Sequence, residues 1–192
     1  MVEPARARFT YAEYAYLEDA SVVRHEFLDG VVYAMSGGTP EHAALAARVI
    51  YLLQMALEGR PCRVFTADLR IRSRATGLGT YPDASVACDE LEIDPDDPLG
   101  HTINNPALVV EVLSPSTEKY DRGDKLHHYQ TIPSLREVLL VAQEKPQLEL
   151  WYRDGDGWAQ RTYGAGDTAE VAHLGVRLSV DAVYADPLKR RG

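Results

Sequence analysis

The chain has 192 residues, 45% hydrophobic and 26% charged, and 29 acidic against 20 basic side chains give a formal net charge of −9 at pH 7. Coating nucleic acid irrespective of its sequence calls for the opposite excess, because Lys and Arg must neutralise phosphates; that class is excluded, while the apolar content suffices for one sizeable core. There is no apolar run of about 18 residues, and no apolar segment follows Met1-Val2-Glu3-Pro4-Ala5-Arg6, so neither a membrane span nor a signal peptide is expected and the cytoplasm is the expected location.

Thr10 to Leu17 reads as an opening helix. Arg24 to Met35 reads as two strands around Asp29-Gly30, a dipeptide that favours a tight hairpin turn. After the loop Ser36-Gly37-Gly38, Thr39 as N-cap and Pro40 at the first helical position start a long helix. Leu45, Val49, Leu52, Leu53 and Ala56 recur at helical spacing until Gly59. A strand is predicted from Cys62 to Ile71, with Arg70, Arg72 and Arg74 on one face if it continues. Tyr81 to Cys88 reads as another strand, followed by a loop from Asp89 to Asn105. Six acids and no Lys or Arg lie between Asp89 and Pro98, so most of the negative excess is one loop and the three Arg could form a basic strip beside it. Cys62 and Cys88 have no CxxC spacing and no matched His pair, which supports neither a zinc site nor a disulfide and leaves two buried thiols.

Pro106 to Leu113 is an apolar run interrupted by Glu111, the pattern of a strand covered on both faces. Ser114-Pro115-Ser116-Thr117 supplies a turn and cap for a helix from about Glu118 to Thr131. Strands follow at Val138 to Val141, Gln147 to Arg153, Trp158 to Tyr163 and Val176 to Leu178, with a helical turn near Val180 to Tyr184. The order of elements argues for an α/β fold, a mixed sheet flanked by helices.

The candidate chemistry lies in charges on apolar elements: Asp83 after Pro82, Glu111 inside the buried strand, and Lys125 on the next helix. Isolated buried carboxylates are costly and should be paired, protonated or bound to a cation. Two of them from neighbouring strands suit Mg²⁺ or Mn²⁺, and a nearby Lys could orient an attacking water and offset charge building on phosphorus. Asp121, Lys125 and Tyr129 share a helix face at i, i+4, i+8. Taken singly, Asp83 reads as a turn residue, Glu111 as the partner of an Arg, and Lys125 as half of an exposed pair with Asp121. Their joint order favours the metal site. His42 reads equally as a helix N-terminal hydrogen-bonding residue. His127-His128 makes a poor metal pair, Trp151, Tyr152 and Trp158 read as core or interface aromatics, and no serine or cysteine nucleophile has a placed His.

Tyr81-Pro82-Asp83, Val110-Glu111-Val112-Leu113-Ser114-Pro115-Ser116-Thr117 and the set Asp121, Lys125, Tyr129 resemble the Uma-two family of endonucleases, within the PD-(D/E)XK superfamily. The likeness extends to Glu26-Phe27-Leu28-Asp29-Gly30, to His42 and to Ile132-Pro133-Ser134-Leu135-Arg136-Glu137. It implies one restriction-endonuclease-like domain over residues 1–192, core about 40–142, with an added N-terminal hairpin and C-terminal strands. It further implies a Mg²⁺- or Mn²⁺-dependent DNA endonuclease with Asp83, Glu111 and a main-chain carbonyl near Val112 as metal ligands, and with Glu26, His42, Asp121 and Tyr129 in supporting roles. The superfamily Lys would fall at Leu113, and Lys125 is its expected replacement. Alanine at Asp83, Glu111 or Lys125 is expected to abolish cleavage while keeping the fold. The alternative is a catalytically silent nuclease-fold module acting in binding or assembly, as a homodimer.

Overall fold

The chain was analysed as a computed structural model that describes residues 8–35 and 37–186. The two ends of the expected 1–192 domain, including Met1 to Arg6, and Ser36 of the predicted loop lie outside the described residues. Thr10 caps α1 (Tyr11–Asp19) by accepting the Glu13 N–H, and the Glu13 carboxylate accepts the Thr10 N–H in return. Tyr11 and Tyr14 of α1 pack with Phe27 of the following hairpin, β1 (His25–Leu28) and β2 (Val31–Ala34). Leu28 pairs with Val31 across Asp29 (φ 45°) and Gly30 (φ 87°), the two positive φ values that a type I′ turn requires. Thr39 accepts the His42 N–H at the start of α2 (Pro40–Leu57), and Val49, Leu53 and Leu57 are buried four residues apart.

The predicted Cys62 to Ile71 strand is two strands in different sheets. β3 (Cys62–Thr66) ends in a turn closed by Leu69 N–H to Thr66 C=O and by the Thr66 hydroxyl on Asp68; β4 (Arg70–Ser73) then pairs with β5 (Leu78–Thr80). The predicted Tyr81 to Cys88 strand begins only at Ala84, as β6 (Ala84–Cys88), because Pro82 has no N–H and the Asp83 side chain bonds sideways to the Val112 N–H. The acidic loop contains a short strand, β7 (Thr102–Ile103). β8 (Leu108–Leu113) is buried throughout, as expected.

The predicted helix after it is interrupted. α3 (Glu118–Tyr120) and α4 (Leu126–Gln130) are joined by a π-helical segment, Asp121–Lys125, in which Gly123 has φ −105° and ψ −106°. Ser114 does not cap it by side chain: its hydroxyl bonds to those of Ser116 and Thr117, and its carbonyl accepts the Glu118 N–H. β9 (Glu137–Ala142), β10 (Gln147–Asp154) and β11 (Gly157–Gly164) follow. β12 (Thr168–Val171), which has no clear sequence signal, forms a ribbon with β13 (Val176–Ser179), and α5 (Val180–Val183) ends the described fold.

The main sheet has the order β11-β10-β9-β8-β6-β3, and β8–β9 is its parallel pair. A second sheet, β2-β1-β5-β4-β7, carries the hairpin. On β8, Leu108, Val110 and Val112 face the core shared with α2 and the β12–β13 ribbon, while Val109 and Leu113 face the core shared with α4 and the second sheet. Strand alternation therefore turns Glu111 toward the second face, where α4 and the hairpin can reach it. Trp151 and Trp158 pack on that core, as expected of core aromatics.

Two expectations are corrected. The antiparallel register of β3 and β6 sets Cys62 opposite Cys88, and the two form a disulfide; strand pairing, which residue spacing does not reveal, brings them together. In a reducing compartment the same register would hold two thiols side by side. The bridge closes a loop with a sequence separation of 26, for which unfolded-state entropy predicts about 3 kcal/mol of stabilisation. Cys62→Ser/Cys88→Ser is expected to lower the urea midpoint accordingly, with reductant lowering only the parent; equal midpoints would contradict this. The Arg strip is also not free. Arg70 bonds Asp97 at 2.9 Å, Arg72 bonds Asp94 and Asp96 at 2.8 Å, and Arg74 lies 3.3 Å from Asp94. The acidic loop folds over the three guanidinium groups and neutralises them.

Candidate active site

A cleft of about 850 Å³ opens between α2, the hairpin and the segment after β8. It gathers Glu26, His42, Asp83, Glu111, Val112, Asp121 and Lys125. Tyr129 is buried behind Glu111 and donates its hydroxyl to Glu111 Oε1. The candidate residues come from six parts of the chain: β1, the start of α2, the turn before β6, β8, the π-helical segment and α4. Leu113, where the sequence resemblance would place a Lys, is buried in the second core.

Lys125 is the hub. Its Nζ lies 3.0 Å from Glu111 Oε1, 3.0 Å from Glu26 Oε1 and 3.6 Å from Asp121 Oδ1, with the side chain only 6% exposed. The Asp121 contact is the predicted i, i+4 pair, buried where an exposed pair would be of little consequence. Burial alone would lower the Lys125 pKa, but Glu111, Tyr129, Glu26 and Asp121 hold it well above the usual value, so the ammonium stays charged. Burial pushes Glu111 up to about 8; Lys125 opposes the shift, and Asp83 and Asp121 add to it. Asp121 is likewise raised by burial against the pull of Lys125.

Asp83 Oδ2 accepts the Val112 N–H at 2.7 Å and lies 3.2 Å from His42 Nε2. That contact with Asp83 raises the His42 pKa, with Glu111 and the Val112 main chain contributing. The His42 N–H bonds Thr39, and its ring lies against Asp83 in the cleft. Thr80 and Tyr120, which carry no periodicity or motif signal, escape sequence reasoning; their hydroxyls donate to Glu26 Oε1 and Oε2. Arg122 points away, bonding Glu118 and Glu149 of β10, and so pins the π-helical segment to the sheet.

These contacts leave a pattern that bears on metal binding. Among the described residues the protein contacts of Asp83 fall on Oδ2 and those of Glu111 on Oε1, which leaves the other oxygen of each carboxylate as a candidate donor. Four carboxylates line the cleft against Lys125 and Arg24, with His42 beside them. The burial that raises Glu111 and Asp121 is a cost that a cation would offset by favouring their ionised forms. Among the described residues no three His, Cys, Asp or Glu side chains form a complete metal cluster. The donors present, two carboxylate oxygens and a main-chain carbonyl, fit a hard ion that keeps several waters, as Mg²⁺ does.

The family model described as "Uma2: Putative restriction endonuclease" matches residues 11–181. The chain is 38% identical over 173 residues to the uncharacterized protein slr1290 of Synechocystis, covering 90% of this chain and 89% of that protein. It is 29% identical over 171 residues to a second Synechocystis protein, sll1609, covering 89% and 96%. In fold it is similar to the crystal structure of a "putative nuclease belonging to DUF820" from Anabaena variabilis, with a TM-score of 0.72 at 16% identity over 92% of this chain and 97% of the other. The α/β architecture is therefore that of a nuclease-fold neighbour, and the family match spans every residue of the site from Glu26 to Tyr129: the chain belongs to the Uma2 family, described as putative restriction endonucleases.

Proposed function

We propose that this protein is a metal-dependent endonuclease that hydrolyses phosphodiester bonds of DNA in the cleft beside Lys125. The observation that carries the reading is the pair of carboxylates, Asp83 and Glu111, each fixed through one oxygen, with a buried ammonium 3.0 Å from one of them. Asp83, Glu111 and the Val112 carbonyl would hold Mg²⁺ or Mn²⁺. Bound there, the cation would supply an acidified water as nucleophile and offset charge on the phosphate.

The chain's own groups do the rest. Lys125 keeps its proton and, with its N–H groups turned to Glu111, Glu26 and Asp121, acts as a fixed positive charge beside the place where negative charge accumulates on the phosphate oxygens. Thr80 and Tyr120 hold Glu26 against Lys125, which fixes the direction of the ammonium. The Tyr129 hydroxyl holds Glu111 Oε1 and leaves Oε2 for a ligand. Lys125 thereby supplies the charge that Leu113 cannot.

The test is nicking of supercoiled plasmid, whose underwound segments also expose unpaired strand. Mg²⁺ or Mn²⁺ is expected to support nicking by the parent protein, and EDTA to abolish it. No nicking with any divalent cation, together with no calorimetric cation binding that Asp83→Asn removes, would contradict the proposal and leave the silent module.

A further inference from the structure

We propose that the DNA this cleft accepts is unpaired, one or two nucleotides of a single strand with a base lying on the ring of Tyr33. The inference rests on the nuclease reading and names its substrate class. Four observations lead to it. First, the cleft wall supplied by α2 is Ala43, Ala46, Ala47 and Ile50, an apolar stripe at helical spacing with no Lys or Arg. The one Arg of α2, Arg48, directs its Nε to the Ala182 carbonyl at 2.8 Å and its guanidinium over Tyr51.

Second, among the described residues the cleft's cations are few. Lys125 is held among carboxylates, and Arg24, at the mouth, bonds the Ala67 carbonyl and Asp68 while 46% exposed. A duplex carries one negative charge per about 1.7 Å of axis, and its binding rests on a track of Lys and Arg. Arg70, Arg72 and Arg74 are neutralised by the acidic loop and Arg122 by Glu118 and Glu149. Of these arginines, Arg24 alone lines the cleft, and, being itself paired with Asp68, it suits one phosphate of one strand at most.

Third, a volume of about 850 Å³ lies within the range of roughly 300–1,000 Å³ typical of small-ligand sites. It is room for a nucleotide or two, and a helix would have to lie across its mouth. Fourth, Tyr33 lies on β2, the edge strand of the second sheet, is 50% exposed, and lines the same cleft. An exposed aromatic ring beside an apolar wall binds the π-face of an unstacked base irrespective of its identity. Charge-poor walls and an aromatic platform thus favour the base, while Arg24 and the acidic floor with its cation take the backbone.

The test measures fluorescence anisotropy of a labelled single-stranded DNA oligonucleotide, of the same strand in a blunt duplex, and of a duplex with a single-stranded tail; the same three are then assayed for Mg²⁺-dependent cleavage. The single strand is expected to bind at least about tenfold more tightly than the duplex, with cuts confined to unpaired positions. Tyr33→Ala should lose about tenfold in single-strand affinity and Tyr33→Phe should retain it, with circular dichroism unchanged for both. Equal or tighter duplex binding, cuts inside paired DNA, or undiminished affinity in Tyr33→Ala would overturn the inference. A single-strand preference with no cleavage of any substrate would leave the occupant as proposed and overturn the nuclease reading instead.

Discussion

Asp83→Ala and Glu111→Ala are each expected to lower Mg²⁺-dependent cleavage by at least about 10²–10³-fold, the loss that follows when one preorganised charge-stabilising group is removed from a closed site. The two changes act differently. Asp83→Ala removes a ligand oxygen and also strips the Val112 N–H of its acceptor at 2.7 Å and His42 of its partner. It therefore disturbs the edge of β8 next to the carbonyl expected to join the ligand set. Glu111→Ala removes the carboxylate that Lys125 and Tyr129 hold. Glu111→Gln is the cleaner variant, because it keeps the Tyr129 hydrogen bond while deleting the charge. Single-turnover cleavage checks both positions. Parent-like rates in either would mean that the carboxylates only maintain structure.

Lys125→Met is expected to destabilise the protein by about 3–5 kcal/mol, because removing one partner of a buried charge cluster leaves the other charges uncompensated. The contacts with Glu111 and Asp121 are the most enclosed of the three, with all these side chains 6% exposed. On sequence grounds Lys125 reads as a residue that alanine can replace without harming the fold; its burial changes that expectation. A weak nicking result for a Lys125 variant must accordingly be read beside its urea unfolding curve. Glu111→Leu/Lys125→Met should recover part of the loss, since the pair is then replaced by apolar volume, while Glu26 and Asp121 remain. A single-variant change below about 1 kcal/mol would show that the cluster is better solvated than its geometry implies.

What was legible in the sequence, and what was not, follows from the range of the interactions. α2 was written in local signals, Thr39, Pro40 and a four-residue apolar repeat, and β8 in a continuous apolar run; both stand as expected. The gathering of Asp83, Glu111 and Lys125 in one cleft was anticipated because a lone Glu in a buried strand demands a partner, and the structure supplies one. Thr80 and Tyr120 were missed because a hydroxyl on a buried carboxylate leaves no periodic trace. The Cys62–Cys88 bridge and the split of Cys62 to Ile71 depend on which strands pair. The acidic loop was read as the neighbour of a basic strip, when long-range pairing joins Asp94, Asp96 and Asp97 of that loop to Arg70, Arg72 and Arg74. The negative excess that first argued against indiscriminate coating of nucleic acid is unchanged by this pairing, and the charge that matters for chemistry lies in the cleft.

The most direct test of the central claim is a crystal soaked with Mn²⁺, examined for anomalous density. The account predicts a peak between Asp83 and Glu111, within ligand distance of Asp83 Oδ1 and Glu111 Oε2, with Lys125 still in contact with Glu111 and the peak absent from Asp83→Asn. Density elsewhere, or none at a Mn²⁺ concentration that supports nicking, would contradict it.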